Sequence, residues 1–446
     1  MNMSFEGISE QQRAEYRERY ESSALYRAVG NALSKHGIDD VAFSSKGRNA
    51  AQFRFSHVVP TLPAANQKKS GRCWIFAALN VLRELTAKKL NLAELEFSQN
   101  YTAFWDKFEK ANYFLESVIA LADRPVDDRL LSYVLDTAVQ DGGQWDMFVN
   151  LAAKYGVAPK SAMEETFQSS NTADMNKLLN AKLRRDAARL RAEAARGGDP
   201  RGLKAQMMGE VYALLCLCFG QPPQTFDFEY VDQDKKFHAD RDLTPKSFYE
   251  KYVGLDLKND YVSLINSPTA DKPFYRTVAI DWLGNVAEGR PVRYLNLPMD
   301  ELKDLIVRQI KDGECVWFGS DVGKKGARDM GIWSDACFDY EGTFAMDFAM
   351  KKGERLDLRD SAMNHAMVIT GVNLDAAGQP NRWKIENSWG SEHGDKGYYL
   401  MDGGWFDQYV YQAVINKKHL SEVQLAALET EPLHFFPWDP MGTLAE

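Results

Sequence analysis

A chain of 446 residues, 45% apolar and 26% charged, has room for a catalytic fold with a large insertion and the balance of an ordinary globular protein, which excludes a disordered or fibrous class. Its formal charge of −9 opposes non-specific adhesion to nucleic acid over the surface as a whole, and no apolar run of roughly 18 residues suggests a membrane span. Five cysteines (Cys73, Cys216, Cys218, Cys315 and Cys337) are odd in number and lack framework spacing, which points to reduced thiols in a cytosol.

In chain order, residues 1–60 mix a charged helical stretch, 11–35, with a polar segment and read as an arm. Their start has no basic region followed by an apolar one, so no secretory leader is expected. From Cys73 the apolar residues Ile75, Ala78, Leu79, Leu82 and Leu85 recur at helical spacing, which predicts a buried helix with Cys73 at its N-terminus. Helical patterns continue through 114–122 and 148–155, with Gln140-Asp141-Gly142-Gly143 as a turn between them, so residues 61–170 form a helical lobe. Residues 171–275 read as an inserted helical subdomain, with a basic run over 182–204. The texture of 276–420 is that of strands: 315–318, 366–372, 383–387 and 397–401 are short β-branched or aromatic runs. Residues 421–446 form a tail in which Pro432, Pro437 and Pro440 favour an extended path and Phe435, Phe436 and Trp438 offer anchors. The expected class is α+β with two lobes and an insertion.

Three side chains carry the chemistry. A thiol at a helix N-terminus meets the partial positive charge there, which favours thiolate and lowers the cysteine pKa. His365 begins one apolar strand and Asn387 ends another, where it shares a face with Trp383 and Ile385. A buried asparagine needs a partner, and an imidazole N–H supplies one.

Gln67 ahead of Ser70-Gly71-Arg72-Cys73-Trp74, then His365, then Asn387-Ser388-Trp389-Gly390 resembles the papain superfamily in order and context. The Gly-Arg-Cys-Trp form and the tail Trp438-Asp439-Pro440-Met441-Gly442 resemble the bleomycin hydrolase, or aminopeptidase C, branch. Nearly three hundred residues separate Cys73 from His365, against roughly 130–150 in simple papains, and the excess matches an insertion of the kind that branch has. The resemblance implies a papain-like two-lobe fold and a cytoplasmic cysteine aminopeptidase that also hydrolyses bleomycin-like amides. It implies Cys73 as nucleophile, His365 as base, Asn387 as orienter, Gln67 beside the oxyanion, Trp389 as a cover and Gly143 on the substrate backbone. It also implies a tail reaching the cleft, where Ala445 or Glu446 meets the incoming amine, a homohexamer, and no cofactor or metal.

Three other readings compete with an exopeptidase acting on peptides with a free N-terminus. One is an endopeptidase with an open cleft. Another is a Cys-His acyltransferase, disfavoured by the full Gln–Cys–His–Asn order. The third is a non-catalytic nucleic-acid-binding scaffold built on the basic run, whose ordinary meaning is a solvated helix face. Cys216-Leu217-Cys218 is expected to pack in the core and not to bind metal.

Overall fold

The structure is a computed structural model, and it describes residues 5–445, with the side chain of Ala445 left aside. The chain forms two compact units, Met1–Gln52 with Ser334–Met350, and Phe53–Trp333 with Lys351–Glu446. Within the first, helices Glu10–Ser22, Ala24–Leu33, Ile38–Ala42 and Ser45–Ala50 join the short helix Tyr340–Phe344. Ser9 and Ser23 cap the first two helices by accepting backbone N–H bonds. Ser44 N–H donates to Cys337 O and Asp339 N–H to Ala42 O, stitching the two segments together. A side chain at Gly47 would lie 1.8 Å from Ala336 O, so only glycine fits that crossing. The arm expected over 1–60 therefore ends earlier and recruits a distant segment; His57–Val58 is already a strand of the second unit.

The second unit is built on helix Cys73–Leu90, whose residues are buried almost throughout. A helix buried on nearly every side must be enclosed, and the polar residues it carries need buried partners. Helices Gln99–Ala120 and Trp145–Tyr155 pack on one flank, and strand His365–Leu374 lies on the other. That strand sits in a mixed sheet. Its neighbours are Val316–Ser320 and Pro380–Glu386, both antiparallel to it, and the path continues outward to Tyr398–Asp402 and to Val410–Asn416. Register pairs His365 with Ser320 and Glu386 with Tyr398, which brings the start of one strand beside the end of the next. The sheet takes in Tyr261–Ile265, so the strand-rich region begins before 276.

The insertion holds the long helices Ala173–Ala195 and Pro200–Phe219 and also a hairpin, Phe226–Val231 with Phe237–Leu243. Its basic run is largely engaged internally. Arg184 donates to the carbonyls of Leu135 and Asp136 at 2.9 Å each, at the end of helix Arg129–Thr137, and Arg191 donates to Leu121 O and Arg124 O. A helix C-terminus leaves carbonyls unsatisfied and favours cations. Lys182 pairs with Asp186 and Glu210, and Lys204 with Glu116. Cys216 and Cys218 are half-buried and pack against the core, whereas Leu217 between them is 85% exposed.

Candidate active site

Cys73 opens its helix after Arg72, which is itself clamped. Both outer guanidinium nitrogens of Arg72 meet Glu165, at 3.1 and 2.8 Å, a bidentate pair that fixes the turn entering the helix. The Cys73 sulfur accepts the Ala366 N–H at 3.4 Å, so the strand that begins with His365 lies directly against the thiol. His365 Nε2 is 2.9 Å from Asn387 Oδ1. That oxygen also takes the Ser388 N–H at 2.8 Å, which marks it as an acceptor and requires the ring to present Nε2–H. In the neutral ring Nδ1 is then the unprotonated nitrogen. Trp389 lies over the imidazole with ring centroids 4.9 Å apart, and Trp333 and Tyr399 back it.

Gln67 is tied to the same loop: its N–H donates to Ser388 O at 2.8 Å, and its side-chain oxygen accepts from the Ser388 hydroxyl. The amide orientation follows, and Nε2 turns toward Ser70, whose carbonyl takes one of its two protons. The second proton remains for a ligand.

Burial is the largest influence on both Cys73 and His365. It pushes the Cys73 thiol up to about 11, although the backbone N–H groups of Ala366 and Trp74 pull the other way. It pushes the His365 imidazole down to about 4, opposed by the bond to Asn387 and aided by the charge of Arg328. The helix terminus favours a lowered thiol pKa, whereas burial acts in the opposite direction and is the larger influence here.

Gly143 lies beside the thiol helix under the Trp74 indole, where a Cβ would approach ring atoms to 2.4 Å. Its N–H donates to Leu444 O at 3.0 Å. The tail therefore lies on the segment expected to hold substrate. Thr443 Oγ1 donates to Met363 O at 2.7 Å, two residues before His365, and Leu444 is buried close to Gly319. Upstream, Tyr294 OH donates to Met441 O at 2.9 Å, and buried Asp439 pairs with buried Lys272 at 2.7 Å. Trp438 lies under the Arg129 guanidinium, whereas Phe436 stacks on Trp438 and stays half-exposed. The tail is not the extended finger expected from its prolines: Gly442 N–H turns back to Asp439 O, and Thr443–Ala445 form a single 3-10 turn. Ala445 ends that turn, and Glu446 lies outside the described residues.

Sequence reasoning missed Asp141. Buried beside Gly142-Gly143, its carboxylate pairs with Lys107 at 2.6 Å and accepts from Gly71 N–H and Asn176 Nδ2 at 2.9 and 2.8 Å, with Thr172 Oγ1 as a further donor. Burial opposes the charge, but Lys107 and these donors hold the carboxyl far below the usual range. Lys110 meets Gln140 O and Gly142 O, completing a rigid base under the turn. Two lysines three apart inside a buried helix were the available signal. Among the described residues, no group of three metal-ligating side chains exists.

A model of the Peptidase C1-like family matches residues 7–442. The chain belongs to the Peptidase C1-like family. Aminopeptidase C of Listeria monocytogenes is 50% identical over 414 residues, 93% of each chain, and human bleomycin hydrolase is 40% identical across the full length of both. The crystal structure of PepW from Lactobacillus rhamnosis HN001 superposes with a TM-score of 0.96 at 45% identity, covering 98% of this chain and 99% of the other. The fold is papain-like α+β, and the protein is a cysteine aminopeptidase of the papain superfamily.

Proposed function

We propose that this family member removes N-terminal residues from peptides through a Cys73–His365–Asn387 thioester mechanism. The single observation that carries the aminopeptidase geometry is the Gly143 N–H bond to Leu444 O: the chain's own end fills the cleft on the segment where a substrate backbone would lie. As the Cys73 proton passes to His365 Nδ1, sulfur adds to the scissile carbonyl. Gln67 Nε2 and the Cys73 N–H hold the oxyanion, and one such donor is worth about 2.7–4 kcal/mol. His365 then gives its proton to the leaving amine, and the C–N bond breaks. Water, deprotonated by His365, cleaves the thioester and returns the thiol. Asn387 keeps the ring aligned throughout, as a carboxylate does in serine hydrolases.

Past the Gly143 contact, a carboxylate of the tail, that of Glu446 or, after trimming by Cys73, that of Ala445, would meet the substrate's α-ammonium. Bleomycin-like amides are a further substrate, by kinship with bleomycin hydrolase. The setting is the cytosol, which suits five thiols outside any disulfide, and the assembly a homohexamer as the family resemblance implies. Internal engagement of Arg184, Arg191, Lys182 and Lys204 supports peptides over nucleic acid as the partner.

The test is digestion of one defined peptide, free and N-acetylated, followed by mass spectrometry. Stepwise loss of residues from the free peptide alone, absent in Cys73→Ala, is expected. Internal fragments from both peptides would make the protein an open-cleft endopeptidase.

A further inference from the structure

Arg328 stands outside every role assigned so far. It lies between the strands Gly326–Ala327 and Ile332–Trp333, and its guanidinium carbon sits 4.5 Å from the centroid of the Trp389 ring. Trp389 in turn lies 4.9 Å from the His365 ring, tilted by 32°. The indole therefore touches both the guanidinium and the imidazole, and the group is exposed at Arg328 and 5% exposed at His365. We propose that Arg328 is a positioning residue of the catalytic pair: it clips Trp389 over the His365–Asn387 hydrogen bond and lends the pair a fixed positive charge. The proposal rests on the reading of Cys73 and His365 as the reacting groups.

The surroundings of the imidazole make that charge felt. Facing it are the Cys73 thiol from the buried helix, uncharged Ser320 and Asn387 from the flanking strands, and, behind the indole, the Tyr399 phenol. Asp329, next to Arg328, is 93% exposed and lies 3.5 Å from His393, so water screens it. Arg328 is the charged side chain that acts most on His365, in the direction that disfavours imidazolium. A cation also favours the thiolate. Because thiolate and imidazolium form together, Arg328 barely changes the balance between the neutral pair and the ion pair. It lowers instead the pH at which the pair as a whole gains or loses a proton. Both limbs of the pH–rate bell are therefore drawn down together. With the indole between the two and a partly wet boundary the effect is on the order of half a pH unit, and it fades as salt shortens the Debye length.

This pattern separates charge from mere packing. Arg328→Gln keeps a planar group over the indole and removes the cation; Arg328→Met serves as a second neutral variant; Arg328→Lys keeps the charge. The readout is kcat/KM against pH, with Cys73 alkylation by iodoacetamide as a substrate-free measure of the thiolate. The expected result is that both limbs rise by roughly half a pH unit in Arg328→Gln at about 10 mM salt, that most of this shift disappears at about 1 M, and that Arg328→Lys keeps the parent limbs. Limbs that stay fixed in both neutral variants overturn the proposal, whether the height of the bell falls or not. If Cys73→Ala retained hydrolysis the underlying reading would fail instead, so the two failures are distinguishable.

Discussion

At the scale of single residues, the dyad is held by contacts that leave little freedom. Asn387 Oδ1 accepts from both the imidazole and the Ser388 N–H, so Asn387→Ala removes ring alignment without opening the fold. Turnover should drop by about 10²-fold or more while the denaturation midpoint changes little, as measured by steady-state kinetics beside urea unfolding. Cys73→Ala should abolish hydrolysis, and alkylation mapped by peptide mass should concentrate on Cys73, because its sulfur lies against the strand that begins with His365, whose imidazole can take the proton, whereas the buried Cys315 thiol is pushed well above 9 by desolvation. Equal labelling at Cys315 would contradict the assignment. A pH effect on stability also follows. His365 is neutral in the fold, with its pKa lowered from 6.5 to about 4, so the unfolded chain binds its proton first as pH falls. Stability from this group is intact above about 6.5 and declines toward 4, by about 3 kcal/mol at most. Thermal melts of the parent and His365→Gln across that window should converge on acidification. These residues were legible because each chemical type stood in its expected order; the direction of the thiol shift was not, since helix position is visible in sequence and the degree of burial is not.

Between elements, a buried ion network joins the thiol helix to the sheet. Arg83, ten residues along helix Cys73–Leu90, meets Glu84 and, at 2.9 Å, Glu386, the last residue of strand Pro380–Glu386. Asn80 donates to the same Glu386 oxygen at 2.8 Å. Burial raises the Glu386 carboxyl to about 7 against the pull of Arg83, so the pair is a costly one held by geometry. Removing only the cation leaves two buried acids facing each other. Arg83→Met should therefore cost on the order of 3–5 kcal/mol in guanidinium unfolding, and Arg83→Met with Glu386→Gln should recover part of it. A single variant as stable as the parent would show that the helix and strand are held by packing alone. Period-3.6 patterning exposed the helix and short aromatic runs exposed the strands, but nothing local marks Arg83 and Glu386 as partners, because their pairing depends on register across three hundred residues. Likewise the hairpin Phe226–Val231 with Phe237–Leu243 escaped a region whose charged helices dominated its composition.

Across the whole molecule, the proposed reading assigns to the tail what kind of peptidase the cleft makes. Asp439 on Lys272, Met441 O on Tyr294, Thr443 on Met363 O and Leu444 O on Gly143 form a chain of anchors leading to the dyad. Prolines and aromatics in the sequence marked the tail as tethered, yet its coiled path was hidden, since the turn at Gly442 depends on contacts made far from it. The most direct measurement of this arrangement is the product spectrum of an enzyme lacking residues 444–446, incubated with one peptide in free and N-acetylated forms and compared with the full chain. Loss of discrimination against the acetylated peptide, together with new internal cleavage, is the predicted result. A truncated enzyme that still removes only N-terminal residues from the free peptide would contradict the assignment of specificity to the tail.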